Sequence, residues 1–236
     1  MSLKIVVLAK QVPDTRNVGK DAMTAEGTVN RAALPAIFNP EDLNALEQAL
    51  RLKEQNPGST VGILTMGPPR AGEIIRQGLY RGADTGWLLT DRLFAGADTL
   101  ATSYALATGI QKIGDVDIVI GGRQAIDGDT AQVGPQISEH LGLPVISYAE
   151  GIEIDGDSVI VKRQFDDRYM MLKAKMPCLI TALSELNEPR YMTPGGIFDA
   201  YKKEITVWGR KDLKDVLDSN LGLKGSPTQI AKASDK

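Results

Sequence analysis

The run Gly121-Gly122-Arg123-Gln124-Ala125-Ile126-Asp127-Gly128-Asp129-Thr130-Ala131-Gln132-Val133-Gly134-Pro135 gathers glycines, amides, a hydroxyl and carboxylates in one unbroken loop. Val133, Ile137 and Leu141 then resume a helical apolar spacing, so the loop opens directly into a helix. A helix N-terminus offers unpaired N–H groups and a partial positive charge, and it holds a diphosphate without a cluster of lysines. Thr130, Gln132 and the N–H groups of Ala131, Gln132, Val133 and Gly134 are therefore candidates for phosphate and ribose contacts. Gly121, Arg123, Gln124, Asp127 and Asp129 complete the candidate set on the loop. Taken alone, the loop leaves a second reading open: a long surface turn in which Asp129 merely caps the helix.

Little else in the chain offers chemistry. One cysteine and one histidine are too few soft ligands for a metal cluster. Cys178 follows Pro177 in the apolar run Cys178-Leu179-Ile180, the setting of a buried thiol rather than a reactive one. His140 falls late in the helix after the loop, where a cation complements the helix dipole. Asp14 and Asp91 are isolated loop acids with turn chemistry as their reading. No Ser/His/Asp arrangement or paired-carboxylate signature stands out. The G-x-G-x-x-G fingerprint is also missing after the first strand, where Ala9-Lys10-Gln11-Val12-Pro13 stands instead.

The elements that must position the loop are legible from periodicity. Ile5 to Ala9 is a continuous, mostly β-branched run, the mark of a strand covered on both faces. Val61–Thr65 and Asp117–Ile120 repeat it, with shorter versions at Trp87–Leu89 and Pro144–Ile146. Between them lie four amphipathic segments. The first has Leu43, Leu46 and Leu50 on one face, Asn39 as N-cap, Pro40 at the first helical position, and Glu41 and Asp42 at the positive dipole end. The second spans 69–80, the third starts from Asp98 and carries Leu106, Ile110 and Ile113, and the fourth is the helix after the loop. This alternation over residues 3–148 predicts a doubly wound, mostly parallel, Rossmann-like α/β sheet.

In such a sheet ligands bind beyond the carboxyl ends of the strands, where the winding reverses. That point lies between the first strand and the fourth. Ala9 and Lys10 after the first strand, Thr65 and Met66 at the end of the second, and Asn39 border the same edge as the loop and join the candidate cofactor contacts.

Past Tyr148 the rhythm changes. Gly151–Ile154 and Ser158–Val161 flank Asp155-Gly156-Asp157, a hairpin signal, and residues 168–175 supply a third antiparallel strand. Leu179-Ile180-Thr181 returns the chain to the sheet. From residue 201 on the chain carries a net charge of +3, against −6 for the remainder. Its segment Gly222–Thr228 reads on composition as a disordered terminus or as an arm ordered along a partner chain.

The 236 residues suit one sizeable core with an appendage. The 27 basic and 30 acidic residues nearly cancel, which argues against nucleic acid as a partner. The first apolar stretch is too short for a signal-peptide core or a membrane span, so a cytoplasmic location is expected.

Five separated motifs, in order, are similar to the beta subunit of electron-transferring flavoprotein. They are Lys4-Ile5-Val6-Val7 with Lys10-Gln11-Val12-Pro13-Asp14-Thr15; Asn39-Pro40 with Ala45-Leu46-Glu47 and Leu50 to Glu54; the loop Gly121 to Thr130 with Gln132 and Gly134; Leu186-Asn187-Glu188-Pro189-Arg190-Tyr191; and Gly222 to Thr228. The resemblance implies a heterodimer with an alpha subunit that carries the electron-transferring FAD, while this subunit binds an adenine nucleotide. It also implies that Leu186, Asn187, Glu188, Pro189, Arg190 and Tyr191 form a recognition loop for an acyl-CoA dehydrogenase, with Leu186 as an exposed anchor.

The nucleotide is AMP as a structural filler, or a second FAD that takes hydride from NADH. Thr90–Thr99, Val12–Thr15 and Asp129–Pro135 look like the anaerobic bacterial branch, and the second form is the one expected. There electrons divide between the alpha-subunit FAD with its acyl-CoA dehydrogenase and ferredoxin or flavodoxin. Flavin chemistry asks little acid/base apparatus of the protein, which accords with the missing catalytic constellation. A nucleotide-hydrolysing α/β protein acting alone is the reading from another class. The expected layout is a nucleotide-binding α/β domain over 1–200, containing an antiparallel layer at about 150–175 and the recognition loop at about 182–200. A C-terminal strand and arm, 201–236, is expected to pack on the alpha subunit.

Overall fold

A computed structural model describes residues 1–14 and 35–228. Thr15 of the first motif and residues 229–236 of the expected arm lie outside the described residues. The chain opens with β1 (Lys4–Leu8), a small hairpin of β2 (Gln11–Pro13) and β3 (Ala36–Phe38), α1 (Pro40–Gln55) and β4 (Thr60–Met66). It continues through α2 (Gly72–Arg81), β5 (Thr85–Leu89), α3 (Thr99–Ile113), β6 (Ile118–Gly122) and α4 (Val133–Leu141). Then come β7 (Val145–Asp155), β8 (Ser158–Phe165), β9 (Arg168–Lys175), β10 (Cys178–Ala182), α5 (Pro194–Ala200) and β11 (Thr206–Trp208).

The main sheet among the described residues has nine strands in the order β11-β5-β4-β1-β6-β10-β7-β8-β9. Strands β1, β4, β5, β6, β10 and β11 run parallel with their neighbours, and β7 is parallel to β10 but antiparallel to β8. The predicted reversal point is where it was expected, because β1 pairs with β4 on one side and β6 on the other.

Continuous apolar runs build the central strands because both faces are covered. Ile5 and Val7 pack into one core with Leu46, Leu50, Ile74 and Leu79 from α1 and α2. Val6 points the other way and packs with Leu106 and Ile110 of α3 and Ile137 of α4. Asp98 caps α3, accepting from the N–H groups of Leu100 and Ala101 at 3.0 Å each.

Two placements go beyond what the sequence predicted. The antiparallel strands extend the plane of the same sheet, with β7 running unbroken through both of its predicted pieces apart from a register shift between Ala149 and Gly151. And β10 inserts between β6 and β7, in the interior of the sheet, parallel to both.

The disorder read from the composition of Gly222–Thr228 is corrected by the fold. Residues 206–208 add β11 to the β5 edge, Trp208 stacks on Trp87 with ring centroids 6.1 Å apart, and Leu213, Val216 and Leu221 are buried in the second core. Gly222 turns at φ +52°, where an added Cβ would lie 2.2 Å from the Leu93 carbonyl oxygen. The Ser226 hydroxyl accepts from the Asp98 N–H at 2.8 Å and donates to the Gly222 carbonyl at 2.7 Å, while Thr228 N–H donates to Asp98 Oδ2 at 3.0 Å. Local composition missed this ordering because Asp98, Leu93 and Trp87, on which the segment is held, are more than a hundred residues away.

Candidate functional site: a clamped loop at the switch point

The carboxyl ends of β1, β4 and β6 face one edge of the sheet, and α1 begins there. Its first residues hold the edge together. Asp42, buried, accepts the Lys10 N–H on one oxygen at 2.8 Å and the Gly122 N–H on the other at 2.9 Å. One carboxylate thus ties the end of β1 to the end of β6. Glu41 accepts the Gln124 N–H at 3.0 Å and pairs with the Arg123 guanidinium at 2.9 Å. Asn39 has no exposed surface; its Nδ2 donates to the Gln124 carbonyl at 2.9 Å and its Oδ1 accepts the Ile126 N–H at 3.1 Å.

The electrostatics follow from this burial. Desolvation pushes the Asp42 carboxyl up to about 7, against the opposing pull of its N–H donors and Asn39. Burial raises Glu41 as well, with Arg123 and the Gln124 N–H acting against it. The close approach of α1 to β6 requires glycine: a Cβ at Gly122 would lie 2.5 Å from Asp42 Oδ1 and 2.8 Å from the Glu41 backbone carbon. Sequence reasoning missed these roles. Glu41 and Asp42 have the pattern of ordinary first-turn acids, and Asn39 occupies the N-cap position of α1 but makes no side-chain cap bond.

Beyond the clamp the loop is exposed from Gly128 to Thr130 and reaches α4. Gln132 occupies the N-cap position and no side chain caps the helix, so the alternative in which Asp129 caps it is corrected. Asp129 and Ala131 take left-handed backbone conformations, φ +47° and +52°, and Gln132 is helical. A left-handed residue followed by a helical one turns successive N–H groups inward into a concavity suited to an anion. Gly134 lets α4 lie close on β10, since a Cβ there would be 2.7 Å from Thr181 Cγ2.

The other predicted contacts fall as follows. Lys10 Nζ is 2.6 Å from Asp127 Oδ1, closing the loop over the end of β1. Gln124 Nε2 donates to Asp129 Oδ1 at 2.9 Å, and Gln132 Oε1 accepts from Thr99 Oγ1 at 2.8 Å. Ala9 is buried, with its N–H on the Leu64 carbonyl, and Met66 ends β4 half-buried. Thr65 is fully buried, and its Oγ1 has no hydrogen-bond partner among the described residues. Arg123 N–H donates to the Ala182 carbonyl, and its guanidinium lies 5.9 Å from the Tyr148 ring, which Arg163 also faces at 5.9 Å. All the predicted loop, strand-end and Asn39 positions therefore converge on this edge.

The other predicted constellation is less exposed than expected. Leu186 sits in a single 3-10 turn, Ser184–Leu186, half-buried against the first core, and Leu183 before it is buried. Asn187 is held by Asn44, whose Nδ2 donates to its carbonyl at 2.6 Å, and returns a bond to the Asn44 carbonyl at 3.0 Å. Arg190 pairs with Glu47 at 2.7 Å and Glu54 at 2.5 Å. These donors hold both glutamates below the usual range, in Glu47 against the opposing effect of burial. The exposed apolar surface begins after this clasp: Tyr191 is 87 % exposed, Phe198 84 % and Tyr201 69 %, with Pro194 and Ile197 beside the last two.

His140 lies in the last turn of α4, edge-on to Tyr104, and Asp91 accepts the Leu93 and Arg210 N–H groups. Burial pushes the Cys178 thiol up to about 11, an inert setting. Among the described residues no helix is long and apolar enough to cross a membrane, and no group of three or more His, Cys, Asp or Glu could hold a metal ion.

Fold and site define a doubly wound α/β protein with a clamped loop and an open helix start at its switch point. Residues 26–213 match the electron transfer flavoprotein domain. The chain is 51 % identical over 231 residues to the caffeyl-CoA reductase-Etf complex subunit CarD of Acetobacterium woodii, covering 98 % of this chain and 87 % of that protein. It is 52 % identical over 234 residues to the electron transfer flavoprotein subunit beta of Clostridium acetobutylicum, covering 99 % and 88 %. Identity is 49 % over 238 residues with the acryloyl-CoA reductase electron transfer subunit gamma of Anaerotignum propionicum, covering 98 % and 88 %. The chain belongs to the electron transfer flavoprotein family, as a subunit of the beta type.

Proposed function

We propose that this subunit pairs with an alpha subunit carrying the electron-transferring FAD and binds an adenine nucleotide at the clamped edge, a second FAD reduced by NADH. Electrons then divide between the alpha-subunit FAD with an acyl-CoA dehydrogenase and a ferredoxin or flavodoxin. The observation that carries the reading is the uncapped start of α4 with its left-handed Ala131, set across the switch point from the Asn39–Asp42 clamp. The buried Thr65 hydroxyl at the end of β4, without a hydrogen-bond partner among the described residues, fits the same use, as a polar group that a bound ribose or ordered water would satisfy. The names of two relatives, which join electron transfer to a caffeyl-CoA reductase and to an acryloyl-CoA reductase, support FAD over AMP.

In this reading the N–H groups of Ala131 to Gly134 receive the diphosphate, while Asn39, Glu41 and Asp42 hold the loop in register. A flavin bound there supplies hydride acceptance and one-electron steps; the protein supplies orientation and local field. The docking face for the dehydrogenase is the exposed apolar surface of Tyr191, Phe198 and Tyr201, with Leu186 and Arg190 fixing its base. Residues 201–236 include the strand β11 and carry a net charge opposite in sign to that of the rest of the chain, suited to contact with the alpha subunit.

Nucleotide analysis of the heterodimer tests the reading. Two FAD per heterodimer are expected, the second reducible by NADH. One FAD with one AMP would reduce the subunit to a single-electron relay.

A further inference from the structure

A cleft of about 350 Å³ lies between the end of α2 and α5, directly beside the exposed aromatic surface. Its charged walls are Arg81, Arg190, Asp199 and Lys203, with Tyr80 and Tyr191 between them. Arg190 is already neutralised by Glu47 and Glu54. Arg81 is different. Its Nε donates to the Arg190 carbonyl at 3.2 Å and its Nη1 to the Gln77 carbonyl at 3.0 Å, and among the described residues it has no ion pair with a carboxylate. Partial burial of the guanidinium lowers its affinity for the proton. Lys203 donates to the Ala83 carbonyl at 2.8 Å and has no carboxylate partner among the described residues either. Two half-buried cations thus face a cleft in which Asp199 is the acid of the wall.

We propose that this cleft receives a carboxylate side chain of the docked dehydrogenase, with Arg81 and Lys203 as its counter-ions, while Phe198 and Tyr201 take the apolar neighbour of that carboxylate. The inference rests on the docking face proposed above and adds a charge requirement to it. One feature selects a protein carboxylate over a free anion: Tyr191 lines the cleft, and Pro194, Ile197, Phe198 and Tyr201 form an apolar patch on the same segment, so the anion's carrier meets apolar surface beside it. The planar fork of Arg81 then suits a carboxylate in two-point geometry. A charged pair at the edge of an apolar contact sets partner choice and encounter rate more than total affinity.

The test uses the heterodimer and the purified acyl-CoA dehydrogenase, with binding measured at low and high salt. Arg81→Gln is expected to weaken binding about tenfold at low salt and to flatten the salt dependence, with Arg81→Lys recovering part of the loss. Flavin content and melting temperature should stay at their original values, which separates docking from folding. In the unmutated complex, a zero-length carbodiimide cross-link should join Lys203 to a partner Asp or Glu. Unchanged affinity and salt dependence in Arg81→Gln would overturn the proposal. So would shielding of Lys203 from acylation by inorganic phosphate with no partner present, which would mark a small-anion site. If Phe198→Ser also leaves binding unchanged, the docking face itself is wrong; if Phe198→Ser weakens binding and Arg81→Gln does not, only the charge requirement fails.

Discussion

Asp42 Oδ1 lies 2.9 Å from the Gly122 amide nitrogen, and a Cβ on residue 122 would come within 2.5 Å of that same oxygen. The contact joins the first turn of α1 to the end of β6, and the second oxygen of the carboxylate reaches Lys10. Position and chemistry are therefore coupled: the residue that fixes the crevice is also a buried acid with a raised proton affinity.

Asp42 should impose a pH dependence on stability. Its carboxyl titrates near 7 in the fold and near its ordinary value of 3.8 in the unfolded chain. The folded state therefore holds more protons between these values, and the stability this group contributes is fully present below about pH 4 and lost as the pH rises through 7. Asp42→Asn cannot accept both N–H groups and leaves one unpaired, at a cost of about 1–3 kcal/mol. Chemical denaturation from pH 4 to 8 should show a declining stability in the original protein that is shallower in the variant.

Gly122→Ala tests the close approach of α1 and β6. Backbone as well as side-chain atoms block the added methyl, so the structure must shift, for about 1–3 kcal/mol of destabilisation. Nucleotide retained through purification should fall with it.

Asn39→Ala separates positioning from fold. It removes one donor and one acceptor from the loop backbone at Gln124 and Ile126 while leaving α1 without any lost side-chain cap. Bound nucleotide should drop severalfold, and hydrogen exchange should rise in residues 123–127 while the strands keep their protection.

Leu186 and Phe198 should divide their roles cleanly. Leu186→Ala removes half-buried packing against the first core, with a stability loss of about 1–2 kcal/mol. Phe198→Ser, at an exposed position, should leave the melting temperature unchanged and weaken dehydrogenase binding. The reverse pattern would return the anchor to Leu186.

Much of this architecture was readable from local pattern. Ile5–Ala9 announced a two-faced strand because Ile5 and Val6 do pack into opposite cores, and the reversal between the first and fourth strands followed from the alternation of elements. The loop from Gly121 to Gly134 was legible as a binding candidate by its glycine and its entry into a helix. What hid was tertiary. Glu41 and Asp42 obey the helix-dipole rule at the start of any helix, so nothing local reveals that they hold Lys10, just past the end of β1, and Gly122 and Gln124 some eighty residues on. Leu186 looked like a free anchor because Asn44 and Glu47, which clasp its loop, belong to another element. The exposure of Phe198 was likewise invisible, since the short α5 has an apolar face that a core could equally have taken.

The insertion of β10 between β6 and β7 orders events during synthesis. While the ribosome is still making the hairpin strands, β6 has β1 on one side and an open edge on the other. Only when residue 182 has emerged can the Ala182 carbonyl receive the Arg123 N–H, so the binding loop gains its last backbone tether from almost sixty residues downstream. A chain interrupted between Gly122 and Cys178 would carry an unfinished sheet with the apolar strand β6 at an open edge, and this is the stage at which the nascent subunit most needs protection from pairing with the wrong strand.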